Sequence, residues 1–240
     1  ELFMRYGFRS VTMDEIAGQL GISKKTLYQF FEDKDALVES VMQAEMSYME
    51  VECTRLNNES ENAIDEIFKD MDCMEAVMDS MNPQIIFDLE KFYPKTFEKF
   101  KRHKNTFMLD MIKNNLERGI NEKLYRSEIN IDIVAKFRLE SSFIVFSQDL
   151  FPYGKYSLLK VSSEIYHHYL HGIATAEGTK FIQKYIQQRQ KEKKRKTMRK
   201  RYFPTLFPHT TDCVWSFDLR RGRIQKPSGK QPAKHFPFLL

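Results

Sequence analysis

The chain has 240 residues, 42% of them hydrophobic and 30% charged, with a formal net charge of +5. That is enough for a sizeable core in one or two domains, and no stretch is long and apolar enough to cross a membrane. The charge is uneven: from Gln188 onward there are 15 Lys and Arg against 3 Asp and Glu, and before it 23 against 30. The basic balance belongs to the end of the chain and is no argument that the body binds nucleic acid.

Glycine and proline are scarce up to residue 187, and apolar residues recur three and four apart, so the body reads as all-α. The opening Glu1-Leu2-Phe3-Met4-Arg5 has no signal-peptide pattern. It reads as the last turns of a helix whose start is missing, with Gly7 as its end. Thr12, with Glu15 three residues on, predicts a capping box for a short helix reaching about residue 20. Gly21-Ile22-Ser23 is a turn, and Ser23 caps a second short helix ending near Phe31. Asp33 caps a long helix over 34 to about 56. After a polar break at 57–62, helices are expected at 63–81, 84–93 and 95 to about 118. Asn82-Pro83, Pro94 and Gly119 are their stops. Two more follow, at 131–151 and from 157 to about 190.

Two short helices joined by a three-residue turn have the dimensions of a helix-turn-helix. Ile16, Ala17, Leu20, Ile22, Leu27 and Phe31 would pack them on the first helix through Phe3 and Phe8. The second short helix is left with a polar face of Lys24, Lys25, Thr26, Tyr28 and Gln29, suited to the major groove. Thr12, Ser23, Tyr28 and Lys34 are candidates for phosphate contacts. Lys24, Lys25, Thr26 and Gln29 are candidates for reading base edges.

The run from Gly7 to Ala17 and the run from Gly21 to Leu37 closely resemble the DNA-binding domain of TetR-family repressors. The motif covers about the first 40 residues, and the helix layout to about 187 is that of the family. The resemblance implies a homodimer on a palindromic double-stranded operator, released by a small molecule. The chain is then expected to divide into a helix-turn-helix domain at 1–40, a helical ligand-sensing and dimerisation domain at 41–190, and a basic, proline-containing tail at 191–240 that is atypical of the family. The family often has glycine where Lys25 stands and histidine where Phe30 stands, so its histidine contact to phosphate does not transfer.

Methionine and phenylalanine are dense between about 63 and 151. Core packing explains most of them, but together they also suit an adaptable apolar pocket. Met74, Met78, Phe87, Phe107, Met111 and Phe143 are the expected lining, for an apolar or amphipathic effector. The last two helices correspond by order to the family's dimerisation pair. A stripe of Ile165, Tyr169, Gly172, Ile173, Ala176 and Thr179 is the expected interface. His167, His168 and His171 read as a polar rim of that interface rather than a metal site, because no third ligand type is near. No nucleophile motif, phosphate loop or paired-carboxylate motif appears, so neither enzymatic activity nor a cofactor is expected.

Cys53, Cys73 and Cys213 lack metal-ligand spacing and read as reduced thiols of a cytoplasmic protein. Residues 189–201 are almost continuously basic, and Pro204, Pro208, Pro227, Pro232 and Pro237 follow. This tail is expected to be disordered, or the product of a frameshift or read-through. A ligand-independent DNA-binding protein, an activator, a helical enzyme and a protein-interaction module remain the alternatives to a ligand-responsive repressor.

Overall fold

The computed structural model describes residues 2–78, 81–152, 154–202, 216–218 and 223–225. Its body is all-α. The first unit comprises α1 (Leu2–Tyr6), α2 (Met13–Gln19) and α3 (Lys24–Phe30). Then come α4 (Lys34–Glu59), α5 (Ala63–Met78), α6 (Ile85–Phe92), α7 (Pro94–His103), α8 (Leu109–Asn121), α9 (Ile131–Phe143), α10 (Leu158–Ile173) and α11 (Ala176–Tyr202).

The expected caps are present. The Thr12 side chain accepts from Glu15 N while Glu15 reaches back to Thr12 N, which closes the capping box. The Ser23 hydroxyl accepts from Thr26 N at 3.0 Å, and Asp33 from Ala36 N at 2.8 Å. Asn62, the last residue of the polar break at 57–62, caps α5 by accepting from Ile64 N and Asp65 N at 3.0 and 2.9 Å. The long α4 buries Leu37, Val38, Met42, Met46, Met49, Cys53 and Leu56 at helical spacing, and so joins the first unit to the rest.

Four expectations on helix ends are corrected. The helix expected over 95–118 starts at Pro94, whose fixed φ suits the first helical position, and contains a π-turn at Lys104–Met108 between α7 and α8. Gly119 does not stop it. A Cβ at Gly119 would lie 2.0 Å from the Tyr125 ring, so glycine is there to let that buried ring close on α8. The helix expected to reach 151 ends at Phe143 and becomes a 3-10 turn, Ile144–Phe146.

The helix expected from 157 to 190 is two helices. Ala174 is extended and pairs with Tyr125, Arg126 N donates to Ile173 O, and Thr175 N donates to Leu124 O. The Thr175 hydroxyl then accepts from Gly178 N at 3.0 Å, capping α11. Gly178 is needed here too, since a Cβ would meet Leu124 O at 2.1 Å.

The tail is also corrected in part. Helix α11 continues through the basic run to Tyr202. That stretch has no Gly or Pro, and Lys, Arg and Gln are good helix formers. Strands β1 (Ser216–Asp218) and β2 (Arg223–Gln225) pair antiparallel with Phe217 opposite Ile224, both good strand formers. Cys213 and the five tail prolines lie outside the described residues.

Candidate nucleic-acid interface and sensor cavities

The first unit presents one polar face for physical reasons close at hand. Met13, Ile16 and Ala17 of α2 and Leu27 of α3 are buried with Phe3, Phe8, Val11 and Phe31. Gly21, at φ +66°, turns the chain between α2 and α3, and Ile22 N donates to Ala17 O at 3.0 Å. With Leu27 inward, Lys24, Lys25, Tyr28 and Gln29 are exposed on α3.

These residues are not equally free. Lys24 Nζ sits 2.8 Å from Asp14 Oδ1, an exposed ion pair between α3 and α2. The Thr26 hydroxyl lies 2.8 Å from the Ser23 hydroxyl, and the Thr12 hydroxyl donates to Glu15. Lys34 Nζ donates to Arg9 O at 3.2 Å, and burial lowers its pKa. Thus Thr12, Ser23, Lys24, Thr26 and Lys34 already hold the unit together. The side chains of Lys25, Tyr28 and Gln29 make no hydrogen bond or ion pair among the described residues.

A joint between this unit and the helices beyond α4 was not foreseen. Asn82 N donates to Met4 O at 2.6 Å, and the buried Asp88 of α6 accepts from Arg9 N at 3.1 Å. Gly7, at φ +83°, makes room for it, since a Cβ there would lie 2.8 Å from Asp88 Oδ2. The Phe8 and Tyr93 rings meet edge-on at 5.9 Å, and Lys99 of α7 pairs with Glu39 of α4. A buried Asp in the apolar frame of Ile85 and Leu89 was the available sequence signal.

The six residues expected to line one pocket are not brought together. Met74 is buried in the core. Phe107 stacks on His103 at 5.3 Å and Phe143 meets Phe100 edge-on at 5.9 Å. Phe87 is 54% exposed, because Ile85, Asp88 and Leu89 take the inner face of α6. Met78 and Met111 line two different cavities.

The larger cavity, about 390 Å³, lies between α5, α10 and α11, with Phe68, Met71, Met78, Leu159 and Ile186 as apolar walls. Lys160, Glu164, His167 and Arg189 also line it. The smaller, about 50 Å³, is lined by Met111, Asp70, Asn115, Arg138 and Tyr169 among others.

Between the two cavities lies a buried polar cluster. Tyr166 OH donates to Asp70 Oδ2 at 2.7 Å. Arg138 lies 3.9 Å from Asp70, donates to the Ser142 hydroxyl at 2.7 Å, and its guanidinium is 3.9 Å from the Tyr166 ring centroid. Burial pushes the Asp70 carboxyl up to about 7, against the opposing pull of Arg138 and of the Tyr166 hydrogen bond. Arg138 falls at the apolar spacing of Ala135, Leu139 and Ser142, a charge at a core position that the sequence did display.

The expected dimer stripe is divided. Tyr169 and Ile173 are buried in the protomer's own core, where Tyr169 lies 5.2 Å from the Arg138 guanidinium, so neither faces outward. Ile165 and Thr179 are half-buried, and Gly172 is exposed with open space beside it. Ala176 is exposed but belongs to the next helix. The sequence reading missed the exposed apolar residues Ile133, Phe137 and Ile144 on and just after α9. Of the histidines, His167 lines the larger cavity and burial lowers its pKa, whereas His168 and His171 are exposed.

Residues 1–41 match the family described as bacterial regulatory proteins, tetR family. An uncharacterized HTH-type transcriptional regulator of Bacillus subtilis (strain 168), YvaF, is 32% identical over 93 residues, 38% of this chain and 48% of that protein. The chain thus spans about half the length of this curated relative. A transcriptional regulator from Cytophaga hutchinsonii has a similar structure, with a TM-score of 0.59 at 21% identity over 72% of this chain and 93% of that one. So does a regulator from Saccharomonospora viridis in complex with choline, with a TM-score of 0.58 at 14% identity over 72% and 92%.

Proposed function

The chain belongs to the tetR family of bacterial regulatory proteins through its first 41 residues, and from that premise we propose that it is a homodimeric transcriptional repressor. It binds a palindromic operator through α3 and leaves it when a small amphipathic molecule occupies the helical domain. The observation that carries this reading is the α3 face. Lys25, Tyr28 and Gln29 are exposed, with no side-chain hydrogen bond or ion pair among the described residues, on a helix capped by Ser23 and paired to α2 through Lys24 and Asp14. Gln29 reads a base edge, Lys25 reads a guanine or a phosphate, and Tyr28 reaches the backbone. Thr12, Ser23, Lys24, Thr26 and Lys34 position that face.

On this reading the chain divides into a DNA-binding domain over 1–40 and a sensing and dimerisation domain over 41–190, with α4 running through both. The joint supplies the coupling: movement of α6 shifts Asp88 and with it Arg9 and α1. Ile133, Phe137 and Ile144, with Ile165 and Gly172 of α10, form the self-complementary face that a two-fold dimer requires. Similarity in fold to a regulator in complex with choline supports a small-molecule effector. Among the described residues no helix is long and apolar enough to cross a membrane, and the protein acts on DNA in the cytoplasm.

The test is selection of genomic fragments by the purified protein. An inverted repeat should be enriched, and Gln29→Ala should broaden it. Recovery of no preferred sequence at physiological salt would count decisively against operator binding.

A further inference from the structure

The cavity between α5, α10 and α11 has an imbalance of donors and acceptors that points to its occupant. Its apolar wall is Phe68, Met71, Met78, Leu159 and Ile186. Its charged residues are Glu75, Lys160, Glu164 and Arg189. One acid is already engaged: Arg189 Nη2 lies 3.3 Å from Glu75 and 2.6 Å from Asp72. Glu164 is exposed.

The donors are less fully used. Arg189 Nε is buried and has no hydrogen-bond partner among the described residues. Lys160 makes no ion pair among the described residues. Burial lowers the pKa of His167, against Glu164 and together with Arg189 and His171, so near neutral pH it keeps one N–H. A buried donor without an acceptor is unfavourable and rare enough in folded proteins to need a cause. What Arg189 Nε lacks is an acceptor.

We propose that the cavity binds an amphipathic carboxylate. The head accepts from Arg189 Nε and Lys160, and the tail lies along Phe68, Met71, Met78, Leu159 and Ile186. As the effector of the proposed repressor, this molecule's biological role rests on the reading above, though its binding does not. The volume of about 390 Å³ falls in the range of small-molecule sites, roughly 300–1,000 Å³. Methionine walls adapt to a tail. Charge-assisted bonds from an arginine and a lysine favour an anionic over a neutral head, and a cation would sit beside both bases with only Glu164 unengaged. Met78 is the last described residue of α5, and Asn82 N donates to Met4 O at 2.6 Å.

Calorimetric titration of the full chain with decanoate, decanol and decyltrimethylammonium tests this. Decanoate should bind one per chain, decanol at least about tenfold more weakly, and the ammonium not measurably. Lys160→Ala, an exposed change, should weaken decanoate about five- to tenfold and decanol by less than about twofold. Met78→Trp should abolish both, with an unchanged helical spectrum. No decanoate binding, equal binding of the three probes, or indifference to Lys160→Ala would each overturn the proposal.

Release of a selected operator is read separately by fluorescence anisotropy. Decanoate that binds without releasing DNA supports the cavity assignment and overturns the effector role. Decanoate that still releases DNA from the Met78→Trp protein places the effector site elsewhere and overturns the assignment.

Discussion

The first unit and the helical domain hold their polar groups in opposite ways. In the first unit, most bonds run between near neighbours in sequence: Thr12 with Glu15, Ser23 with Thr26, Lys24 with Asp14. The polar groups left over face solvent. In the helical domain they reach across the chain: Tyr166 to Asp70, Asn62 to Tyr185, Asn115 to Ala63, Arg118 to Ser60. The first arrangement leaves a surface ready to meet a polar partner at small cost in stability. The second makes the interior specific but leaves it dependent on each member of the network.

The sharpest way to break this comparison is at Arg138. Arg138→Ala leaves Asp70 buried without its cation and should destabilise the chain by about 3–5 kcal/mol, measured by urea unfolding. A loss within experimental error would mean that the cluster is no more than packing. Next is the outer face of α9. Phe137→Glu should weaken self-association about a hundredfold at unchanged fold, since a charge replaces an apolar anchor. Sedimentation equilibrium checks it, and an unaltered dimer would move the interface elsewhere.

On the DNA side, Gln29→Ala should cost about 1–3 kcal/mol in operator affinity and relax one position of the site. Lys25→Ala, if Lys25 contacts phosphate, should lower the slope of log affinity against log salt by about 1. Neither should shift the melting temperature. Thr12→Ala removes the capping box and should cost about 1 kcal/mol of stability, with a correspondingly small fall in thermal midpoint.

The pH dependence is the smallest and most selective test. Asp70 has a folded value near 7 against 3.8 for the ordinary carboxyl. Between these values the folded state binds more protons than the unfolded state, so stability falls as pH rises from about 4 to about 7. Glu45, also pushed up to about 7 by burial, acts in the same direction. Asp70→Asn should therefore make the decline in melting temperature over that window shallower without removing it. An identical slope would sink the assignment to Asp70.

Where local rules act, the elements were legible. The caps at Thr12, Ser23 and Asp33, the turn at Gly21 and the inward Leu27 follow from residue type and spacing within a few positions. Gly119 and the break at 174–175 were not legible, because their causes lie elsewhere: Tyr125 needs room beside Gly119, and Leu124 pairs with Thr175. The effector lining failed for a related reason. Methionine and phenylalanine at helical spacing mark an inner face, but not which neighbouring helix each one meets. The lining therefore divided between core, surface and two cavities. Similarly, Tyr169 and Ile173 read as a contact stripe until α5 and α9 covered them.

By itself the sequence determined that this chain is helical, that it begins with a turn-linked pair of short helices, and that α3 carries a polar face. Those properties arise from backbone hydrogen bonds and caps spanning three or four residues. Only the tertiary structure decided that α11 closes a cavity on α5, that Asp88 joins the two units, and that Arg138 is buried beside Asp70. Each of these depends on which distant surfaces meet, and helical periodicity specifies a face without naming its partner.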